Sequence, residues 1–143
     1  SWDQAVLHAY LENGILPVTC GDVIVDTQIG CTIWSTEKVF SHIAQHITLP
    51  YQVKNIIHVT EIAGVLDSVG AIVSSIAEEN KKEVQAAIFT TKGFDVTGGM
   101  WHKIEESLLL AQDGITTKII SGLKKGNLFN CLTDREWIGT TIT

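Results

Sequence analysis

The spacing of apolar residues changes period several times along this chain, and each change predicts an element. Val6 and Tyr10 follow Trp2 at i, i+4, i+8, with Leu7 and Leu11 beside them, the stripe of an amphipathic helix that Asn13-Gly14 should end. Ile15 to Cys20 reads as a buried strand, broken by Gly21-Asp22. Val23–Asp26 and Cys31–Trp34 read as a hairpin around Thr27–Gly30. Ser35 or Thr36 can cap a helix bearing Val39, Ile43, His46 and Ile47, with Pro50 as its stop. Asn55–Thr60 is short, apolar and β-branched, the pattern of a central parallel strand. Ala63–Asp67 turns out of it, and Ala71–Val73 suits a short edge strand. Helices are predicted over Glu78–Ile88 and Met100–Gln112, the second stopped by Asp113-Gly114. A strand at Thr116–Ile120, a short helix within Leu123–Leu132 and a final strand at Trp137–Ile142 complete the order. Strands alternating with helices predict an α/β sandwich with a largely parallel sheet.

Composition narrows the class. With 143 residues the chain is long enough for one domain with a real core, and with 45% hydrophobic and 18% charged residues it reads as globular. A net charge of -6 argues against a nucleic-acid partner, which needs a basic face. No apolar run reaches the roughly 18 residues of a membrane span, and no signal-peptide pattern opens the chain. Cys20, Cys31 and Cys131 are odd in number and widely spaced, which fits reduced thiols in a cytoplasmic protein. The opening Ser1-Trp2-Asp3 leads straight into a helical pattern, as in a chain cut from a larger protein or one whose short head is not included.

Ligands of α/β sheets sit where strand ends enter helices, and Gly21, Gly64, Gly98, Gly99 and Gly122 fall at such points. Gly98-Gly99 precedes a predicted helix whose free N–H groups and positive dipole end suit an anion. Lys103, expected in that helix's first turn, opposes the dipole unless an anion is bound. A phosphate cradle is one reading; the other is a Thr97 cap, a glycine turn and a solvated lysine. Glu37 and Glu61 follow strand ends, where each could orient a lysine, a ribose or Mg2+, or simply favour a helix dipole. Asp22 suits a turn equally well. His42 and His46 share a helix face at metal-ligand spacing, but no third ligand is evident, so they read as structural. His102 reads as a surface residue and Glu78–Glu83 as a solvated helix face.

The order of these motifs resembles the carboxy-terminal half of the amino-acid kinase superfamily, and within it the isopentenyl phosphate kinases and the related fosfomycin kinases. "GILPVTCGDVIVD" is similar to the family's strand followed by Gly-Asp-Val, and "IIHVTEIAGVLD" to its strand entering Thr-Asp-x-x-Gly-Val. "DVTGGMWHKIEESL" is similar to its Asp-Val-Thr-Gly-Gly-Met-x-x-Lys, the most specific of these stretches; "SGLKKGNL" and "IGTTI" resemble its closing motifs. The resemblance covers nearly the whole chain as a single domain, residues 1–143. It implies a three-layer sandwich with an open, mainly parallel sheet, forming the nucleotide-binding half of an ATP- and Mg2+-dependent kinase. Such an enzyme transfers the γ-phosphate to a small phosphate or phosphonate, here isopentenyl phosphate giving isopentenyl diphosphate, with a fosfomycin-type acceptor as the alternative. By the same resemblance Gly98, Gly99 and Lys103 contact the nucleotide phosphates, Glu61 and Leu66 lie along its ribose or base, and Thr36 takes a substrate-side backbone position. Lys103 and Glu37 are the expected catalytic residues, with no covalent intermediate. A homodimer is the expected assembly, with no membrane partner.

Two departures bear on the acceptor. Ser35-Thr36-Glu37-Lys38 stands where the family has Ser-Gly-Asp-Asp, so Thr36 adds a side chain and Glu37 moves its charge outward by about one methylene. Glu61 replaces the family's first Asp at the next strand end, and Ala63 a second acid. The family's amino-terminal half, with its glycine-rich loop, phosphate-binding lysines and substrate histidine, has no counterpart in these residues. The chain by itself is therefore not expected to catalyse efficiently. A non-catalytic nucleotide-binding regulatory domain is the competing reading.

Overall fold

A computed structural model describes residues 4–90 and 99–143, which divide into two units, Ser1–Gln52 and Val53–Thr143. Gly98 and Thr97 lie outside the described residues.

The first unit opens with helix α1 (Gln4–Glu12), which buries Leu7 while Val6 and Tyr10 stay about half exposed. The predicted i, i+4 stripe is thus not its inward face. Gly14, at φ 67°, ends it, with Ile15 N–H donating to Tyr10 O at 2.8 Å. Ile15–Cys20 is not a strand among the described residues, contrary to its pattern: Leu16 is 83% and Val18 91% exposed. The hairpin forms as expected, strand β1 (Asp22–Asp26) antiparallel to β2 (Gly30–Trp34). Asp26 Oδ1 accepts the N–H groups of Gln28 and Ile29 at 2.8 and 2.9 Å, and these bonds hold its carboxyl below the usual range. The register places Val23 opposite Ile33 and Val25 opposite Cys31, and all four are exposed. Helix α2 (Thr36–His46) is capped by Ser35, whose side chain accepts from Lys38 N–H at 3.4 Å. It ends before Pro50, because Ile47 is already extended at ψ 135°.

The second unit carries a four-stranded sheet in the order β3-β5-β6-β4. Strands β3 (Asn55–Thr60) and β5 (Thr116–Ser121) are parallel; β6 (Gly139–Ile142) is antiparallel to β5 and parallel to β4 (Ser75–Ile76). Asn55–Thr60, expected as a central strand, is an edge of this sheet among the described residues, and Val59 is 49% exposed. Ala71–Val73 forms only a bridge, Leu66 to Ile72, closing a small turn. Asp67 Oδ1 organises that turn by accepting from Val69 and Ala71 N–H, both at 2.9 Å. Helix α3 (Lys81–Thr90) starts three residues later than the sequence suggested, because Asn80 ties off the preceding turn: its side chain accepts from Ala77 N–H and donates to Ser75 O.

Helices cover both faces of this sheet. Alternation along β5 and β6 puts Thr117, Ile119, Thr140 and Ile142 on one face, all fully buried. Ile119 and Ile142 join Val65, Ile76, Val84 and the Trp101, Ile104 and Leu108 row of helix α4 (Gly99–Gln112) in the core. The opposite face presents Lys118 and Ile120 toward helix α5 (Asn127–Leu132) and the turn after it. There the Lys118 ammonium sits 3.7 Å from Asp134 and 5.4 Å from the Trp137 ring centre. This is the expected three-layer arrangement with a mixed, mostly parallel sheet.

Candidate nucleotide site

Three connecting residues, Asp113–Ile115, join α4 to β5, with Gly114 at φ 76° making the reversal. So short a link returns α4 antiparallel to β5. Fourteen helical residues rise about 21 Å and six strand residues span about 20 Å. The helix start at Gly99 is thereby carried to the level of the carboxyl ends of β3 and β5. Val65, from the loop after β3, packs in the same core as Trp101 and Ile104, which confirms that proximity. The end at which α/β sheets bind ligands thus gathers Glu61–Leu66, the start of α4 and Gly122–Gly126.

Hydrogen bonds tie the two strand-end loops together. Gly122 N–H donates to Thr60 O at 2.8 Å, Ser121 Oγ to Glu61 O at 3.3 Å, and Thr60 Oγ1 to Ile62 O at 2.9 Å. Val65 N–H donates to Thr140 Oγ1 at 2.8 Å, fixing the loop to the start of β6. Several strand-end glycines serve the protein's own chain. A Cβ on Gly64 would stand 2.8 Å from Thr140 Oγ1, and one on Gly122 2.7 Å from Val59 Cγ1. Gly21 is tighter still, its added Cβ falling 2.5 Å from Trp34 O. The glycine signal therefore marks close backbone packing at these three positions.

Gly99 is the first residue of α4, and Lys103 is its fifth, one residue further in than the sequence suggested and just past the first turn. The dipole penalty expected for Lys103 is correspondingly weak, since the field falls off within the first turn. Gly99 and Lys103 still share one face of the helix at i, i+4. Lys103 is half-buried, and its carbonyl accepts from the buried Ser107 hydroxyl at 2.6 Å. Glu61 is exposed, and Leu66 is half-buried at the bridge to Ile72. Thr36 and Glu37 belong to the first unit, at the start of α2, where Thr36 Oγ1 accepts from Gly21 N–H at 3.4 Å.

Sequence reasoning gave no role to Lys124 and Lys125, two exposed cations at this same end, or to Asn127. Asn127 is buried and holds the Gly122–Gly126 loop against the approach to β6. Its Nδ2 donates to Ile138 O at 2.8 Å and its Oδ1 accepts from Ile138 N–H at 2.9 Å. The signal was an Asn directly after Gly126, where a buried amide can pair with a passing backbone.

Other chemistry recedes. His42 and His46 stack with ring centres 4.2 Å apart, and the His42 ring lies 5.3 Å from that of Trp34. Burial, and then the neighbouring His46, push the His42 pKa down. Burial raises the Cys131 thiol, which leaves it protonated and a poor nucleophile at neutral pH. His102 is on the surface, 3.9 Å from Glu105. Among the described residues no three His, Cys, Asp or Glu side chains cluster as a metal cage, and no helix is long and apolar enough to cross a membrane.

Known proteins place this architecture. The chain is 30% identical to the isopentenyl phosphate kinase of Methanothermobacter thermautotrophicus, over 99% of this chain and 53% of that protein. It is 26% identical to the isopentenyl phosphate kinase of Arabidopsis thaliana, over 99% of this chain and 49% of that protein. It thus spans about half the length of the curated relatives it matches. A solved isopentenyl phosphate kinase superposes with a TM-score of 0.73 at 24% identity, covering 99% of this chain and 51% of that one. The N-acetylglutamate synthase of Neisseria gonorrhoeae, complexed with coenzyme A and L-arginine, shares the fold with a TM-score of 0.75 at 15% identity, over 99% of this chain and 30% of that one. The sequence profile of the amino acid kinase family matches residues 1–121, and the chain belongs to that family.

Proposed function

We propose that this chain is the nucleotide-binding half of an ATP-dependent kinase that phosphorylates a small phosphate, isopentenyl phosphate being the acceptor its relatives favour. The observation that carries the reading is the gathering of Glu61–Leu66, Gly99 with Lys103, and Gly122–Gly126 at one end of a parallel strand pair. Its relatives named isopentenyl phosphate kinase support the acceptor, and nothing among them favours a fosfomycin-type reaction.

In this reading the start of α4 faces the nucleotide phosphates, with Gly98 and Gly99 allowing close approach and Lys103 neutralising charge on the transferring group. Glu61 and Leu66 lie along the ribose or base. Thr36 lines the acceptor side, and Glu37 orients the phosphate-binding cations. Mg2+ enters with the nucleotide, on its phosphates. What the chain supplies is position and charge, with no covalent intermediate. A cytoplasmic homodimer completes the proposal, its mass in solution being the check.

The test is turnover in the enzyme completed by an amino-terminal half. Lys103→Ala should lower kcat by about two orders of magnitude or more, with little change in Tm. Turnover that persists while Tm collapses would make the lysine structural. One observation favours the regulatory-domain reading: the Thr36 hydroxyl is engaged with Gly21 inside the junction between β2 and α2. If the completed protein binds ATP but phosphorylates no small phosphate or phosphonate, that reading replaces this one.

A further inference from the structure

His42 and His46 stand one turn apart on α2, with ring centres 4.2 Å apart and ring planes 25° from parallel. That spacing lets two imidazoles on one helix face grip one metal ion. His46 is exposed and already set for the task. Its Nδ1 lies 2.9 Å from the His42 carbonyl oxygen, which can only accept, so Nδ1 carries the proton and Nε2 keeps a bare lone pair. Metal-ligating histidines are held in this way, by a hydrogen bond from the ring nitrogen that does not ligate. His42 is mostly neutral at pH 7, because burial and then His46 lower its pKa. The Trp34 ring, centred 5.3 Å from that of His42, backs the pair.

Between α1 and α2 is a gap of about 10 Å³, walled by Gln4 and Leu7 of α1 and by His42, Ile43, His46 and Ile47 of α2. It has room for one water-sized guest. Spacing along α2 offered no third ligand, but folding brings one, the amide oxygen of Gln4 at the start of α1. We propose that His42, His46 and Gln4 bind one divalent transition-metal ion of the zinc and copper class, with water completing its shell. Two imidazole nitrogens and one amide oxygen suit such an ion, whereas Mg2+ and Ca2+ take oxygen ligands. Zinc sites open to water use three protein ligands, the number available here. The other wall residues, Leu7, Ile43 and Ile47, offer no competing donor. The ion joins the first turn of α1 to the last turn of α2 and so stabilises the first unit. None of the residues assigned to the nucleotide takes part.

Zn2+ titrated by calorimetry into the chelator-treated chain tests this. One ion should bind per chain, with no heat from Mg2+ at the same concentration. The ring-proton signals of His42 and His46 should move together, those of His8, His58 and His102 should not, and hydrogen exchange in α1 should slow about tenfold. His42→Gln and His46→Gln should each weaken binding at least tenfold. Gln4→Leu should weaken it about threefold, and Gln4→Glu, which supplies a charged oxygen, should tighten it about tenfold. That gain keeps the site testable if a histidine variant fails to fold. Cys20 and Cys31 are exposed thiols, and replacing both by Ser should leave the affinity unchanged. Loss of binding in that double variant would move the ion to the cysteines and overturn the proposal. Equal affinity in every variant would mark an adventitious ion only and overturn it too, as would no binding at millimolar Zn2+. An affinity indifferent to both Gln4 variants contradicts the three-ligand site. No outcome here depends on the kinase reading.

Discussion

Asn127 shows how one side chain can hold a strand-end loop. Both ends of its amide pair with the backbone of Ile138, so removing it strands a buried N–H and a buried C=O together. Asn127→Ala should therefore cost about 3 kcal/mol in denaturant melts, and Asn127→Asp less, since the acceptor for Ile138 N–H survives. His42 gives a pH signature. Its folded pKa lies below the ordinary 6.5, so the unfolded chain binds more protons between the two values. Its contribution to stability is complete above about pH 7 and fades as pH falls through 6.5 toward the folded pKa. Tm should drop over that window, and His42→Gln should flatten the drop. At this scale the sequence spoke unevenly. Residue type and spacing announced Lys103 and the histidine pair, but the partners of Asn127 and Asp67 are backbone groups brought in by folding, which no spacing reveals.

Among the elements, those with a strong local signal formed where their pattern put them. The hairpin followed from two short apolar runs around a turn that the Asp26–Gly30 pair closes, and α2 from its Ser35 cap. Those whose pattern depends on distant partners did not. Ile15–Cys20 is apolar enough for a strand, but a strand exists only with a neighbour to bond to. Ala71–Val73 lost its strand to the tighter turn that Asp67 builds. Strand-end glycines misled in a related way: flexibility near a ligand and tight packing against the chain demand the same residue. Gly21→Ala separates the two. Its Cβ would fall 2.5 Å from Trp34 O, a backbone atom that cannot swing aside, so the change should destabilise the first unit by about 2 kcal/mol. Faster hydrogen exchange in α2 and the hairpin would register it, and unaltered exchange would return Gly21 to the list of candidate ligand contacts.

For the whole molecule, the layer order was legible because it follows from the alternation of elements, and the same alternation locates the candidate strand-end site: a parallel pair with a helix between its strands brings that helix's start to their carboxyl ends. The reaction was not legible in the same way, since a kinase and an N-acetylglutamate synthase share this architecture. The central claim is that nucleotide binds where Glu61–Leu66, the start of α4 and Gly122–Gly126 meet. Amide chemical shifts of the chain, followed while Mg2+-ATP is titrated in, test it most directly. The account predicts saturable shifts at residues 61–66, 99–103 and 122–126, lost in Gly99→Val, whose added side chain blocks the approach of the phosphates. Saturable shifts confined to other residues, or none at millimolar nucleotide, would contradict it.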